Sequence, residues 1–297
     1  MNAGGVLPLA FAGLLAAAAA AAPAGAVELH TERSLYRNIV VYDDDGLRCM
    51  KFGRQAVGRQ SCMSLADRNR LVFDYTRMMM AALYLNPSPQ RVLIIGLGGG
   101  TLPDALQKIL PAARIDAVEV DPAVVRVAGK YFGFAPGRQT TVFEEDGRVF
   151  VKRMQKQQIR YDLVLLDAFD HEYIPEHLLT REFLLEVRSI LAPGGVLAAN
   201  TFATSRLYHF ESATYYSAFG DFYRLKSSNR VILARAGGLP DWAELARNAG
   251  ILEARLVPLG VGREWLLPLI GVESGWPPGT RVLTDQYSPS NLLNVSN

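Results

Sequence analysis

From residue 90 onward, short apolar runs and amphipathic stretches take turns along the chain. "RVLIIGLG" precedes a helical pattern over about Pro103 to Leu110, and "RIDAVEV" precedes one over about Pro122 to Phe132. "TTVFEED" precedes a helix over about Gly147 to Gln157, "YDLVLLDAF" one over about Arg181 to Leu191, and "GGVLAANTF" closes the series. Strands separated by a helix are joined by crossovers rather than hairpins, so this alternation demands a mostly parallel sheet covered on both faces. The expectation is an α/β, doubly wound, Rossmann-like domain with its core at residues 90–235. Beyond it the spacing predicts a helix over Asp241 to Ala249 and then a Pro- and Gly-rich tail.

Upstream the signals differ. Between Tyr36 and Leu65 the runs "RNIVVY", "LRCMKF" and "SCMSL" are separated by Asp43-Asp44-Asp45-Gly46 and by a connection from Gly53 to Gly58. Strand runs punctuated by such turns predict a small antiparallel β unit. "LVFDYTRMMMAALYL", Leu71 to Leu85, has helical spacing and stops before Asn86-Pro87, which predicts one helix. The expected organisation is a strand unit at 27–70 and a catalytic domain with a C-terminal extension at 71–297. Cys49 and Cys62 sit in successive strand runs. Facing each other across a hairpin they would suit a disulfide and an oxidising compartment; two buried free thiols fit the sequence equally well.

Residues 1–26 form a separate segment. An apolar run from Val6 to Ala22 ends at Pro23, and Ala24-Gly25-Ala26 offers small residues for cleavage. This reads as a secretion signal, although no Lys or Arg precedes Arg33. The Ala-rich run is short and weakly apolar for a membrane span, so no stable anchor is expected after cleavage, and the location implied is periplasmic or secreted. A misassigned start would instead leave a cytoplasmic protein. The formal charge of +2 and the 49% hydrophobic content suit a globular protein and exclude the concentrated basic face of a nucleic-acid binder.

The chemistry gathers at strand ends. "VLIIGLGGGT" places Gly96, Gly98 and Gly100 between a strand and a helix, where a tight turn lets a ligand approach the backbone at a helix N-terminus. The next strand ends in Glu119, about 20 residues on, where a carboxylate takes the hydroxyls of a ribose. The third ends in "EEDG", with Asp146 and Gly147 placed to meet an adenine. Gly loop, acid and acid at successive strand ends favour an adenosyl ligand and the S-adenosylmethionine-type variant of the fold. Helix capping is the competing role: it is the better reading for Asp121, before Pro122, and ligand contact the better one for Glu119 and Asp146.

Taken together, "YRNIVVY", "FDYTRMM", "VLIIGLGGGTLPDAL", "VEVDPAVV", "EDGRVF", "YDLVLLDAFD" and "IPEHLLTREFLLEVRSILAPGGVLAAN" resemble the spermidine synthase family of aminopropyltransferases, especially its transporter-linked bacterial branch. The resemblance implies an N-terminal strand unit on a Rossmann-like domain, decarboxylated S-adenosylmethionine as co-substrate, no prosthetic group, a small-molecule amine acceptor such as putrescine, and a homo-oligomer. It makes Asp167 the general base, Asp170 the second acid of the same loop, and Tyr75 a wall of the amine pocket; an ordinary core tyrosine is the equal alternative for Tyr75. The attacking amine is an ammonium at neutral pH and must lose a proton, which explains two carboxylates where an apolar strand ends.

Three positions depart from the family pattern. Thr101 replaces the acid after the Gly loop, making the pocket less selective for polycations; Thr101 with Asp104 also looks like a capping pair. His171 replaces a proline, and Arg37 a glutamine. A cation at 37 would favour a carboxylate, such as that of intact S-adenosylmethionine. "HEYIPEH" has the wrong spacing for a zinc protease, and no metal is expected. His177 is expected to support the loop over the acceptor, with capping of the next helix as the alternative. The activities in play are therefore aminopropyl transfer, S-adenosylmethionine-dependent methyl transfer on the same fold, and non-catalytic binding of polyamine or nucleoside by an exported protein.

Overall fold

The structure, a computed structural model, describes residues 1, 25–53, 58–169 and 174–289. The apolar leader run, Asp170 and His171 thus lie outside the described residues.

Four strands, β1 (Val27–Arg33), β2 (Asn38–Asp44), β3 (Leu47–Phe52) and β4 (Ser61–Ser64), form an antiparallel meander in chain order. Asp45 and Gly46 both have positive φ, 48° and 72°, and link the paired residues Asp44 and Leu47. That is the two-residue turn whose twist matches the flanking strands. β1 had no clear signal in the sequence: it is an edge strand with mostly exposed or half-exposed residues, so no apolar face marks it. Register places Cys49 opposite Cys62, and the two form a disulfide. Ile39, Val41, Met50, Phe52 and Met63 supply the buried face.

The predicted helix over 71–85 is two pieces, α1 (Asp74–Met79) and α2 (Ala82–Leu85). Between them Met80 and Ala81 donate to Arg77 and Met78 through tighter i to i−3 bonds. Every side chain from Met78 to Leu85 is buried, so no single apolar stripe imposes one regular rotation on this segment.

The alternating region follows as β5 (Arg91–Ile95), α3 (Thr101–Ile109), β6 (Arg114–Glu119), α4 (Pro122–Phe132), β7 (Thr140–Glu144), α5 (Gly147–Lys156), β8 (Tyr161–Leu166), α6 (Arg181–Ser189) and β9 (Leu191–Phe202). After it come α7 (Tyr208–Phe219), β10 (Tyr223–Lys226), β11 (Asn229–Arg235), α8 (Trp242–Leu256), α9 (Arg263–Leu266) and β12 (Gly271–Val272). The sheet order is β12-β10-β11-β9-β8-β5-β6-β7, parallel from β9 to β7 and antiparallel across the other three strands. This is the Rossmann-like methyltransferase fold with a small N-terminal antiparallel sheet. α1, α2, α3 and α8 cover one face, α5, α6 and α7 the other, and α4 packs against the small sheet. α7 escaped the sequence pattern because it buries Glu211, Ser212 and Thr214, with Glu211 Oε2 accepting from Arg230 at 2.5 Å. α8 runs seven residues past its expected end, to Leu256.

The chain leaves β7 and returns beside β5 as β8, so the strand order reverses between β5 and β8. A crevice opens at the carboxyl ends of strands at such a switch point.

The disulfide closes a loop with a sequence separation of 13. We expect the Cys49→Ser, Cys62→Ser double variant to lose about 3 kcal/mol of stability through the unfolded chain's added freedom, read from urea unfolding. An unchanged midpoint would show that the pair contributes nothing.

Candidate active site

At the switch point, Gly96, Gly98 and Gly100 all adopt positive φ, of 102°, 53° and 77°. A Cβ on Gly96 would lie 2.2 Å from the Asp167 carbonyl oxygen, and one on Gly100 2.4 Å from the Phe134 ring, so both strain and space require glycine. The loop is pinned from two sides. Leu97 N donates to Glu119 Oε2 at 3.1 Å, and Gly99 N donates to the Ser61 hydroxyl of β4 at 3.0 Å.

Glu119, only 9% exposed, also accepts from Asp121 N at 3.0 Å through Oε1. Burial pushes its carboxyl above the ordinary range, while the two backbone donors oppose that shift. It caps no helix through its side chain; it fastens the Gly loop to the entry of α4 and lines the crevice. Asp121 is the N-cap of α4, as expected, accepting from Ala123 N at 2.9 Å. Its other oxygen accepts from the Ser34 hydroxyl at 2.5 Å and lies 3.9 Å from Arg37 Nε.

The structure adds a capping role to one expected ligand contact and corrects one capping expectation. Asp146 is the N-cap of α5: Oδ1 accepts from Arg148 N and Val149 N at 2.9 and 3.0 Å. Oδ2 lies 2.8 Å from His177 Nε2, and this bond holds its carboxyl below the ordinary range. Asp146 and Gly147 do line the crevice, but capping and ligand contact are not exclusive there. Thr101 forms no capping pair; Gly100 is the N-cap and Thr101 the first residue of α3. Asp104 instead meets Lys108 at 2.7 Å, leaving Thr101 on the wall of the crevice.

Asp167 follows β8, its amide donating to Ile95 O at 2.8 Å. Oδ1 accepts from Asn200 Nδ2 at 2.9 Å, and Oδ2 from the Tyr75 hydroxyl at a long 3.4 Å. Burial raises its carboxyl to about 7, against the two donors and with the help of the Glu119 charge. Burial and that same carboxylate push the Tyr75 phenol well above its usual value. Tyr75 thus packs against the core and also lines the cavity, with its hydroxyl toward Asp167.

These groups share one cavity of about 830 Å³, which also takes in Arg37, Phe73, His177 and Asn229. That size accommodates a nucleoside and an amine together. The Arg37 guanidinium lies 4.3 Å over the Phe52 ring, on the side of Asp121 and Glu119. Among the described residues, no cluster of three or more His, Cys, Asp or Glu could hold a metal ion, and no helix is long and apolar enough to cross a membrane. Sequence reasoning missed Asn200, Asn229 and Ser61. Asn200 had a signal, since it sits near the end of the strand after Asp167; Ser61 had none, because its contact joins two sheets.

The model for the spermine/spermidine synthase domain matches residues 72–223. The chain is 45% identical over 271 residues to the polyamine aminopropyltransferase of Vibrio vulnificus, covering 89% of this chain and 91% of that one. The chain belongs to the spermine/spermidine synthase family. A probable spermidine synthase from Corynebacterium glutamicum superposes with TM-score 0.67 at 18% identity, covering 86% of this chain and 96% of that one. Human methyltransferase-like protein 13, solved in complex with SAH, has TM-score 0.58 at 26% identity, covering 70% of this chain and 97% of that one.

Replacing Glu119 with Ala removes a charged acceptor and unfastens the Gly loop. We expect the variant to bind methylthioadenosine roughly 10- to 150-fold more weakly, about 1.5 to 3 kcal/mol, by calorimetry. Equal affinity would sink the role given to Glu119.

Proposed function

We propose that this aminopropyltransferase binds decarboxylated S-adenosylmethionine against the Gly loop and Glu119, and passes its aminopropyl group to a polyamine such as putrescine, with Asp167 as general base. The observation carrying this is that Asp167, held by Asn200 and Tyr75, shares one cavity with the adenosyl-type loop. The acceptor arrives as an ammonium and gives a proton to Asp167. The freed lone pair then attacks the carbon beside the sulfonium, the new C–N bond forms as the C–S bond breaks, and the electron pair leaves on sulfur as a neutral thioether. A base poised near neutrality suits that transfer. The Gly loop and Arg37 were the sequence support for methyl transfer with an intact, carboxylated donor; Arg37 Nε lies 3.9 Å from Asp121 Oδ2, which weakens its part of that support.

The Cys49–Cys62 disulfide and the leader-like first 26 residues support an oxidising location, periplasmic or secreted. We expect the N-terminus of the chain recovered from cell fractions to lie near Val27; a cytosolic chain retaining the leader would overturn this location.

Asp167→Asn should abolish transfer while leaving methylthioadenosine binding nearly intact. Collapse of nucleoside affinity would show that Asp167 holds the donor instead.

The sign of the pH dependence follows from the raised carboxyl. The base must be ionised, so kcat/KM of the wild type should climb through about pH 7. Folding disfavours the ionised form, so Asp167 subtracts stability above its unfolded value near 3.8, increasingly up to about 7. Asp167→Asn is therefore expected to raise Tm at pH 8, with the gain fading toward pH 4. A gain independent of pH would assign it to something other than this carboxylate.

A further inference from the structure

The partner of Asp167 is itself partnered. Asn200 is only 4% exposed, and both ends of its amide are engaged: Nδ2 faces Asp167 Oδ1 at 2.9 Å, and Oδ1 accepts from Asn229 Nδ2 at 3.0 Å. A carboxylate ion can only accept, so Asn200 serves it in one of its two amide orientations and opposes it in the other. We propose that Asn229 is a positioning residue for the proton acceptor: by donating to Asn200 Oδ1, it fixes the amide orientation that presents N–H to Asp167. This rests on the reading of Asp167 as the base.

The backbone explains why Asn229 can do this. Val231 of β11 pairs with Asn200 of β9 and Asn229 with Phe202, so Asn229 and Asn200 are diagonal neighbours on one face of an antiparallel pair. Asn229 O accepts from Ser227 N at 2.8 Å, and its Oδ1 accepts from the Ser228 hydroxyl at 3.4 Å, which leaves Nδ2 for Asn200. The next residue, Arg230, is fully buried and bonded to Thr201, Ser212 and Glu211, so the start of β11 is anchored. An apolar side chain at 229 would let the Asn200 amide turn over. An aspartate there accepts, and would draw the Asn200 NH2 away from Asp167.

The other groups facing Asp167 are Tyr75 from α1 and Glu119 from the end of β6, while β5 offers only the Ile95 carbonyl and the Gly96 backbone. Arg37 acts on Glu119, and Asp146 and His177 are bonded to each other on the same cavity wall. Asp170, in the same loop as Asp167, lies outside the described residues. The hydrogen bond from Asn229 to the Asn200 amide joins it to Asp167, so a change at 229 reaches Asp167 through that amide.

The test follows the Asp167 carboxyl directly, by carbon NMR of aspartate-labelled full-length protein titrated with acid, with the resonance assigned by its loss in Asp167→Asn. In Asn229→Ala the midpoint should move alkaline by roughly 0.5 to 1 pH unit, and further in Asn229→Asp. The acidic limb of kcat/KM should move with it, while methylthioadenosine affinity stays within about twofold. A midpoint unchanged in Asn229→Ala overturns the proposal, and Asn229→Ser serves if the aspartate variant fails to fold. A midpoint that moves while the rate limb stays put confirms Asn229 as the holder of Asn200 and removes Asp167 as the base.

Discussion

Everything in the site depends on how closely two backbones approach at the top of the sheet. Gly96 and Asp167 leave adjacent parallel strands, and the Asp167 carbonyl occupies the space where a side chain at 96 would begin. With glycine there, the Asp167 amide reaches Ile95 O and the Gly96 amide reaches Val118 O, so β8, β5 and β6 stay in register past their formal ends. That continuation sets the separation between Glu119 and Asp167, and with it, on their proposed roles, the reach between donor and acceptor. A methyl group at 96 would need the two strand ends to part, and would displace Asp167 relative to the loop before any ligand arrived.

The last described residues brace the same region from outside. Arg148, in the first turn of α5, is bonded to both Glu186 and Asp285, and Asp285 also accepts from Thr180, the N-cap of α6. Leu283 N donates to Thr214 on α7, and Ser288 donates to Glu176 O. The "LTDQYSP" segment thus ties α5, α6 and α7 to residues 176–178, where His177 bonds to Asp146. Fixed N-caps keep α5 from turning, and α5 begins on the cavity wall. The segment, whose role the sequence did not explain, is thus bonded to elements at the edge of the cavity.

The parallel core was legible because short strand runs alternate with helical patterns, and that alternation admits few topologies. The Gly loop, Glu119 and Asp167 were legible for the same reason, since the end of a parallel strand is a fixed place in space. What escaped notice was held by contacts between elements far apart in sequence. Ser61 matters because a second sheet folds over Gly99, 38 residues away. Asn229 matters because an antiparallel strand lies beside β9, a pairing that leaves no mark on either segment alone. The polar buried face of α7 hides its helix for a related reason: Glu211 can be buried only because Arg230 arrives from β11.

The two halves of the cavity obey different physics. On the proposed donor side, backbone amides and a carboxylate are satisfied by one another, so a nucleoside would meet a preformed wall. On the acceptor side, Asp167 is left with a short amide contact, a long phenol contact and another carboxylate within electrostatic reach, and its charge is costly there. On the proposed mechanism a polycation would relieve that cost by supplying the missing charge, so binding the acceptor and ionising the base would be coupled: ammonium groups farther along the chain would favour the ionised carboxylate that the reacting ammonium must then meet. Thr101, in place of a further acid, adds no charge to that wall of the cavity.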